Sequence, residues 1–303
     1  MQPRRSGGGM RRAARRGASS DGRVSRYACR IAVPAGAAMT ASPTRTARWL
    51  LEQHRDRRTF RSFPPGIRPA NLADAYRAQA CFVDLKARDC GEPVGWKIAL
   101  SNPAMQRLVG LDAPVAGRLL SGQVVAGPAS TRVGAYGRLL IEFEIAVELG
   151  SDLPAPGGRC SREQAGAAVA AVRPAFELAD DRSADYARLG DEAFQMVADN
   201  AWNEGAVLGM RREDWTALDL EAIAGRVFCD DVPVGGGRGG DLMGHPLDAL
   251  AWLAASAASR GMTMRRGDVA ILGSLVTSRF PKAGERWRFE LEGFEPLLLS
   301  IEP

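Results

Sequence analysis

The chain has 303 residues, 46% of them hydrophobic and 25% charged, with a formal net charge of +5. These values exclude a fully disordered chain, a collagen-like repeat and a disulfide-dense small scaffold. No apolar run approaches the roughly 18 residues that a membrane-spanning helix needs, so no membrane partner is expected.

The charge is unevenly placed. Residues 1–38 hold nine Arg and a single acid, Asp21, so this segment carries +8 and residues 39–303 carry −3. The positive total belongs to one end, and no nucleic-acid partner is expected of the body. Residues 1–40 are set apart from the fold. Three readings fit them: an organelle transit peptide, a basic disordered tail, or a start codon assigned too early with Met39 as the true start. Residues 41–303 are expected to form one domain. Five cysteines (29, 81, 90, 160 and 229) form no CxxC motif. They suit reduced thiols in the cytoplasm.

Apolar spacing predicts amphipathic helices over 44–58 and 71–89, the second opened by Asn71 as N-cap. Pro64, Pro65, Gly66 and Pro69 break the chain between them. Strands are predicted at 94–100 (VGWKIAL), 138–149 (RLLIEFEIAVEL) and 173–180 (RPAFELAD), with a short helix over 160–172 capped by Ser161. GGGRGGD (235–241) lacks the GxxxxGK[ST] phosphate-loop pattern and reads as a flexible turn. A strong amphipathic helix follows over 245–260, stopped by Gly261, and strands return at 268–275, 286–291 and 296–301. Helices and strands alternate without a βαβ period, so the expected class is α+β.

Strand periodicity gives the chemistry. Ile141, Phe143, Ile145, Val147 and Leu149 share one face, and Glu142 and Glu144 stand side by side on the other. Carboxylates that close raise each other's pKa unless a cation lies between them; acids on a solvated strand face are the alternative. Glu177, flanked by Ala175 and Ala179, belongs to a second strand. Three carboxylates from two strands would make an oxygen-only site that suits Mg²⁺ or Mn²⁺ rather than Zn²⁺. Histidine is scarce, with only His54 and His245. Lys97 lies between Gly95 and Ala99 on its strand face. It reads either as a strand-end lysine reaching solvent or as a proton-transfer group near a cation.

Six segments in order carry a resemblance: VGWKIALSNPAMQ (94–106), IEFEIAVEL (141–149), RPAFELADDR (173–182), VADNA (197–201), GRGGDLMGHPLDALAWLA (237–254) and GDVAILGSL (267–275). From about residue 44 onward the chain resembles the 2-keto-4-pentenoate hydratase / 4-oxalocrotonate decarboxylase group of the fumarylacetoacetate hydrolase superfamily. The resemblance implies a mixed β-roll core with peripheral helices, and a homo-oligomer that could include a decarboxylase/hydratase partner. It implies metal ligands at Glu142, Glu144 and Glu177 and the family lysine at Lys97. Arg182 and Asn200 are further candidates, for holding a carboxylate or a water, against a surface salt bridge and a turn hydrogen bond.

The implied activity is a metal-dependent lyase of aromatic catabolism acting on a small 2-oxo acid. It would add water to a 2-hydroxy-2,4-dienoate. A 2-oxo-acid decarboxylase, an acylpyruvate C–C hydrolase and a non-catalytic partner subunit are the alternatives. The hydrolase would need a His–Glu pair near the metal, and His54 in its charged helix argues against it. Ser121 and Gly122 stand where the group carries acids, Leu272 stands where it carries Thr, and the proline before the E-x-E strand is missing.

Overall fold

The computed structural model describes residues 42–153 and 159–303. The leader reading for residues 1–40, Met39 included, lies outside the described residues.

The first layer is helical. Helix α1 (Pro43–Arg55) starts with proline at its first turn, where the missing N–H costs nothing. Helix α2 (Leu72–Cys90) is opened by the Asn71 side chain, which accepts from the Asp74 N–H, and is closed by Gly91 at φ 82°. Ala47 and Leu50 of α1 pack against Ala78 and Phe82 of α2. The proline-rich break predicted between them lies between these helices.

The chain then enters strand β1 (Pro93–Ala99), helix α3 (Pro103–Val109), and strands β2 (Val115–Leu120), β3 (Val124–Ala126), β4 (Ala129–Arg132) and β5 (Leu139–Leu149). Helix α4 (Arg162–Ala167) leads to β6 (Val169–Asp180), and α5 (Ala193–Ala198) to β7 (Asn203–Leu208). Strands β8 (Ala224–Cys229) and β9 (Val232–Arg238), helix α6 (Pro246–Ser259), and strands β10 (Val269–Ser274), β11 (Arg286–Leu291) and β12 (Leu297–Glu302) complete the chain. One sheet has the order β2-β1-β10-β5-β6-β7-β3, and a second has β4-β12-β11-β8-β9. Both are mixed: β1 runs parallel to β10, β3 to β7 and β4 to β12. This is the α+β architecture, with two mixed sheets and helices outside them.

The apolar face of β5 builds the core. Phe143 meets Phe176 edge-on at 5.5 Å between ring centroids and reaches Trp287 and Phe289 of the second sheet at 5.8 and 6.0 Å. Helix α6 adds Leu250 and Leu253 to the same cluster. The opposite face of the first sheet carries small residues, Ala146, Ala175 and Ala206 among them. Small side chains leave room there for longer polar ones.

Two sequence expectations are corrected. The predicted 160–172 helix ends at Ala167, after a capping box formed by Ser161 and Gln164. From Val169 the chain pairs with the long β5, Val169 opposite Leu149, and this ladder overrides the alanine-rich helical propensity. The 235–241 stretch is not a flexible turn. Gly235–Arg238 pairs with β8, and its glycines permit close approach: a Cβ on Gly237 would lie 2.1 Å from the Leu275 carbonyl oxygen.

Candidate metal centre

The register of β5 and β6 places Glu142 directly opposite Glu177, and Glu144 opposite Ala175. One carboxylate oxygen from each of Glu142, Glu144 and Glu177 lies within 4.8 Å of the others. Each acid is oriented by a different group. Ser278 Oγ donates to Glu142 Oε1 at 2.6 Å, and the Gly273 N–H donates to Glu144 Oε2 at 2.6 Å. Asn203 Nδ2 donates to Glu177 Oε1 at 2.9 Å.

Lys97 approaches from β1. Its Nζ is 2.9 Å from Glu177 Oε1 and 3.4 Å from the Ala201 carbonyl oxygen. Glu144, Glu177 and Lys97 are all buried. Burial, then the neighbouring Glu177 and Glu142, push the Glu144 carboxyl well above the usual range. Burial also raises Glu177, partly offset by Lys97. Burial opposes the Lys97 charge, but Glu177, Glu142 and Glu144 outweigh it and hold the ammonium above its ordinary value. Three acids thus face one cation. Glu144 Oε1 and Glu177 Oε2 are buried oxygens with no hydrogen-bond partner among the described residues. Buried polar atoms without a partner are costly, and hard oxygen donors with net negative charge are what a Mg²⁺- or Mn²⁺-like cation takes. The residues present fit a divalent cation.

A cavity of about 650 Å³ opens onto this cluster and is lined at its polar end by Lys97, Glu142, Ser274 and Ser278. Trp202 also lines it. Asn200, Ala201 and Trp202 all adopt left-handed φ (54°, 47° and 64°), a rare conformation for three consecutive residues with side chains. Asn200 clamps this turn to β2: its Oδ1 accepts from the Arg118 N–H at 2.7 Å and its Nδ2 donates to the Arg118 carbonyl at 2.9 Å.

The structure therefore brings Lys97, Glu142, Glu144 and Glu177 together. It does not place Arg182 or Asn200 on the cavity wall. Arg182 is buried and its Nη2 is bound to Asp199, while the Asn200 amide is used on Arg118. Sequence reasoning did not identify Asn203, Ser278 or the Ala201 carbonyl, which carry no periodic or motif signal. Gly273 falls within the GDVAILGSL segment, but its role through a backbone N–H is invisible to side-chain patterns.

Residues 115–300, more than half the chain, match the family described as fumarylacetoacetate (FAA) hydrolase C-terminal. The chain belongs to the fumarylacetoacetate hydrolase family. Among curated relatives, it is 31% identical over 247 residues to a 2-hydroxyhexa-2,4-dienoate hydratase of Comamonas testosteroni, covering 80% of this chain and 91% of the relative. It is 30% identical over 252 residues to a 2-keto-4-pentenoate hydratase of Paraburkholderia phymatum, covering 83% and 94%. A solved 4-oxalocrotonate decarboxylase from Pseudomonas putida G7, complexed with magnesium and adipate, shares the fold. Its TM-score is 0.76 at 23% identity, over 86% of this chain and 97% of that one.

Within this family member, the departures from the resembled group have structural addresses. Ser121 and Gly122 close β2 beside Cys90, and neither lines the cavity. Leu272 lies in the hydrophobic core. His54 does have acid partners, which its charged helix concealed: Nε2 is 2.5 Å from Asp199 Oδ1 and Nδ1 is 3.1 Å from Glu204 Oε1. Neither His54 nor Glu204 lines the cavity that holds Lys97 and Glu142. His245 caps α6, its Nδ1 accepting from the Leu247 N–H.

Proposed function

We propose that this chain is a metal-dependent hydro-lyase that adds water to a 2-hydroxy-2,4-dienoate, the dienol form of a 2-keto-4-enoate. The observation that carries this reading is the carboxylate trio of half-buried Glu142 and buried Glu144 and Glu177, with Lys97 beside it, at a cavity that Lys97 and Glu142 line. The similarity to hydratases over four fifths of the chain supports it.

In this reading Glu142, Glu144 and Glu177 would hold the cation, Mg²⁺ or Mn²⁺; Glu144 and Glu177 each keep one buried oxygen without a protein partner. A bound divalent cation supplies Lewis acidity that stabilises the enolate form of a 2-oxo acid. The residues of the chain do the rest. Gly273, Ser278 and Asn203 fix the three carboxylates so that no ligand has to reorganise. Lys97 Nζ carries the proton that goes to the far carbon of the conjugated chain. Water then adds at C4, and the proton it releases returns to the Lys97 amine; the 2-hydroxyl proton is lost and C3 is protonated as the enol becomes the 2-oxo group, so the sum is the addition of one water. The Ala201 carbonyl and Glu177 hold that ammonium in place.

Decarboxylation of a 2-oxo diacid is the second reading. It uses the same electron sink, and the magnesium-bound decarboxylase of similar fold favours keeping it. The position of His54 and Glu204 disfavours C–C hydrolysis. A single domain over residues 41–303, forming a cytoplasmic homo-oligomer, belongs to the same reading. Among the described residues Cys90, Cys160 and Cys229 stand outside any disulfide, which suits a reducing compartment.

The test is to incubate the protein with Mg²⁺ and 2-hydroxypenta-2,4-dienoate, follow loss of the conjugated absorbance, and identify the product. Formation of a 4-hydroxy-2-oxo acid that depends on the metal and is absent in Glu144→Gln is expected. Metal binding without turnover of this or a longer dienoate would sink the hydratase reading.

A further inference from the structure

The cavity also speaks about the far end of its ligand. Its charged lining residues are Lys97, Glu142 and Asp241. Lys97 is committed to Glu177 and to the Ala201 carbonyl. Glu142 and Asp241 are acids, so among the described residues no uncommitted cation lines the cavity.

Much of the wall is apolar, with Ser101, Asn102 and Thr277 as neutral polar members. Leu140, Ala179, Leu189, Met196 and Trp202 line the cavity and belong to one hydrophobic cluster. Tyr186 and Phe280 stand edge to face at 6.4 Å and line it as well. An arginine does lie close. The Arg138 guanidinium sits 4.7 Å from the Phe280 ring centre and 5.7 Å from that of Tyr186. It is not part of the lining, and it is neutralised. Its Nε donates to Asp181 Oδ1 at 2.7 Å, and its Nη2 donates to Asp181 Oδ2 and to the Ala184 carbonyl. The buried Asp181 carboxylate thus neutralises this cation, which is not among the lining residues. Arg182 is likewise bound to Asp199.

We infer that the ligand's far end is an uncharged alkyl or aryl tail, and that this cavity discriminates against a second carboxylate. This rests on reading the cavity as the substrate site. A terminal carboxylate would give up water in a cavity whose charged lining residues besides Lys97 are the acids Glu142 and Asp241, with neutral side chains such as Ser101, Asn102 and Thr277 and no free cation among the described lining residues to replace it. A neutral tail would bury against Leu140, Leu189 and Met196. The volume of about 650 Å³ lies in the middle of the range for drug-sized ligands, far above the needs of a five-carbon acid. A tail longer than that of a pentadienoate fits the space.

The experiment compares 2-oxooctanoate with 2-oxooctanedioate, saturated acids of equal length that cannot be hydrated. Binding to the Mg²⁺-loaded full chain is measured by calorimetry. In parallel, the turnover of a 2-hydroxy-2,4-dienoate with an alkyl tail is compared with that of one ending in a carboxylate. The monoacid is expected to bind roughly tenfold or more tightly, and kcat/KM is expected to follow the same order. Met105, partly exposed on the cavity wall, allows a cation to be introduced with little risk to the fold. Met105→Arg is expected to narrow the gap by strengthening dioate binding. Equal or tighter binding of the dioate by the native protein overturns the inference, and a gap unchanged in Met105→Arg removes its electrostatic basis. If the binding order holds while neither dienoate reacts, the hydratase reading fails and the tail preference stands. If both dienoates react equally, the reverse is true.

Discussion

Lys97 Nζ lies 2.9 Å from Glu177 Oε1, and both side chains are almost completely removed from solvent, at 2% and 0% exposure. The pair joins two strands that are not neighbours: β1 is separated from β6 by β10 and β5. It therefore fixes the one cation of the site against the carboxylates from across the sheet. A buried pair of this kind contributes little net stability, but breaking it leaves an uncompensated charge.

Lys97→Met is expected to lower kcat/KM by roughly 10²–10⁴-fold, the usual contribution of a positioned proton donor. It is also expected to cost about 3–5 kcal/mol in the metal-free protein. Lys97→Arg keeps the charge but cannot give up its proton, so it should recover much of the stability and none of the rate. Urea denaturation and steady-state kinetics on the two variants separate these effects.

Asn200 acts through the backbone. Its amide holds Arg118 at both N–H and C=O, and it pins a left-handed turn that carries the Ala201 carbonyl to Lys97 and Trp202 to the cavity. Asn200→Ala loses both bonds and a residue type that tolerates this conformation. A loss of roughly 1–3 kcal/mol is expected, together with a fall in kcat. A variant with unchanged thermal stability would show that the turn is held by something else.

His54 makes stability depend on pH. Burial opposes its charge, but Asp199 and Glu204 outweigh burial and raise its pKa above 6.5. Burial would raise Glu204, yet Lys86 and His54 bring it down to about 2, so it stays ionised throughout the neutral range. Asp199 is lowered as well: Arg182 and His54 overcome its burial. A raised folded pKa stabilises the native state fully below the unfolded value, and this stabilisation is lost as pH rises through the folded value. Unfolding free energy is thus expected to decline above about pH 6.5, and His54→Gln should flatten that decline. Denaturant titrations across the neutral and mildly alkaline range test the slope.

The glycines of β9 give a fourth prediction. Gly237→Ala places a methyl against the Leu275 carbonyl oxygen, next to the strand that ends at Ser274. Overpacking of this kind costs about 1–3 kcal/mol. A flexible turn would tolerate the change, so a melting temperature equal to that of the native protein would contradict the strand assignment.

The parts of this protein that were legible in the sequence are those whose spacing is local. Alternation along 139–149 gave both faces of β5, because a strand repeats every two residues whatever lies around it. Asn71 and Ser161 were legible as caps because a cap satisfies N–H groups only a few residues away. The end of α4 was not legible, since the ladder with β5 decides it from outside the segment. The glycine strand β9 reads as a turn until Leu275 and Val276 are seen to press against it. Among the site residues, the three glutamates and Lys97 could be named because each stands among small or alternating neighbours. Ser278 and the Ala201 carbonyl could not, because each reaches the site from outside a strand, and Asn203 could not, because the pairing of β7 with β6 that brings it to Glu177 is not local. The partners of His54 come from far along the chain, and its local sequence shows only a charged helix.

The central claim is that Glu142, Glu144 and Glu177 together hold a divalent cation. Titration of Mn²⁺ into the protein, followed by the loss of its free electron paramagnetic resonance signal, tests this without any substrate. One tightly bound Mn²⁺ per chain is expected, displaced by excess Mg²⁺ and lost in both Glu144→Gln and Glu177→Gln, variants that keep the shape of each side chain. Mn²⁺ binding that is unchanged in those two variants, or absent from the folded native protein, would contradict the account.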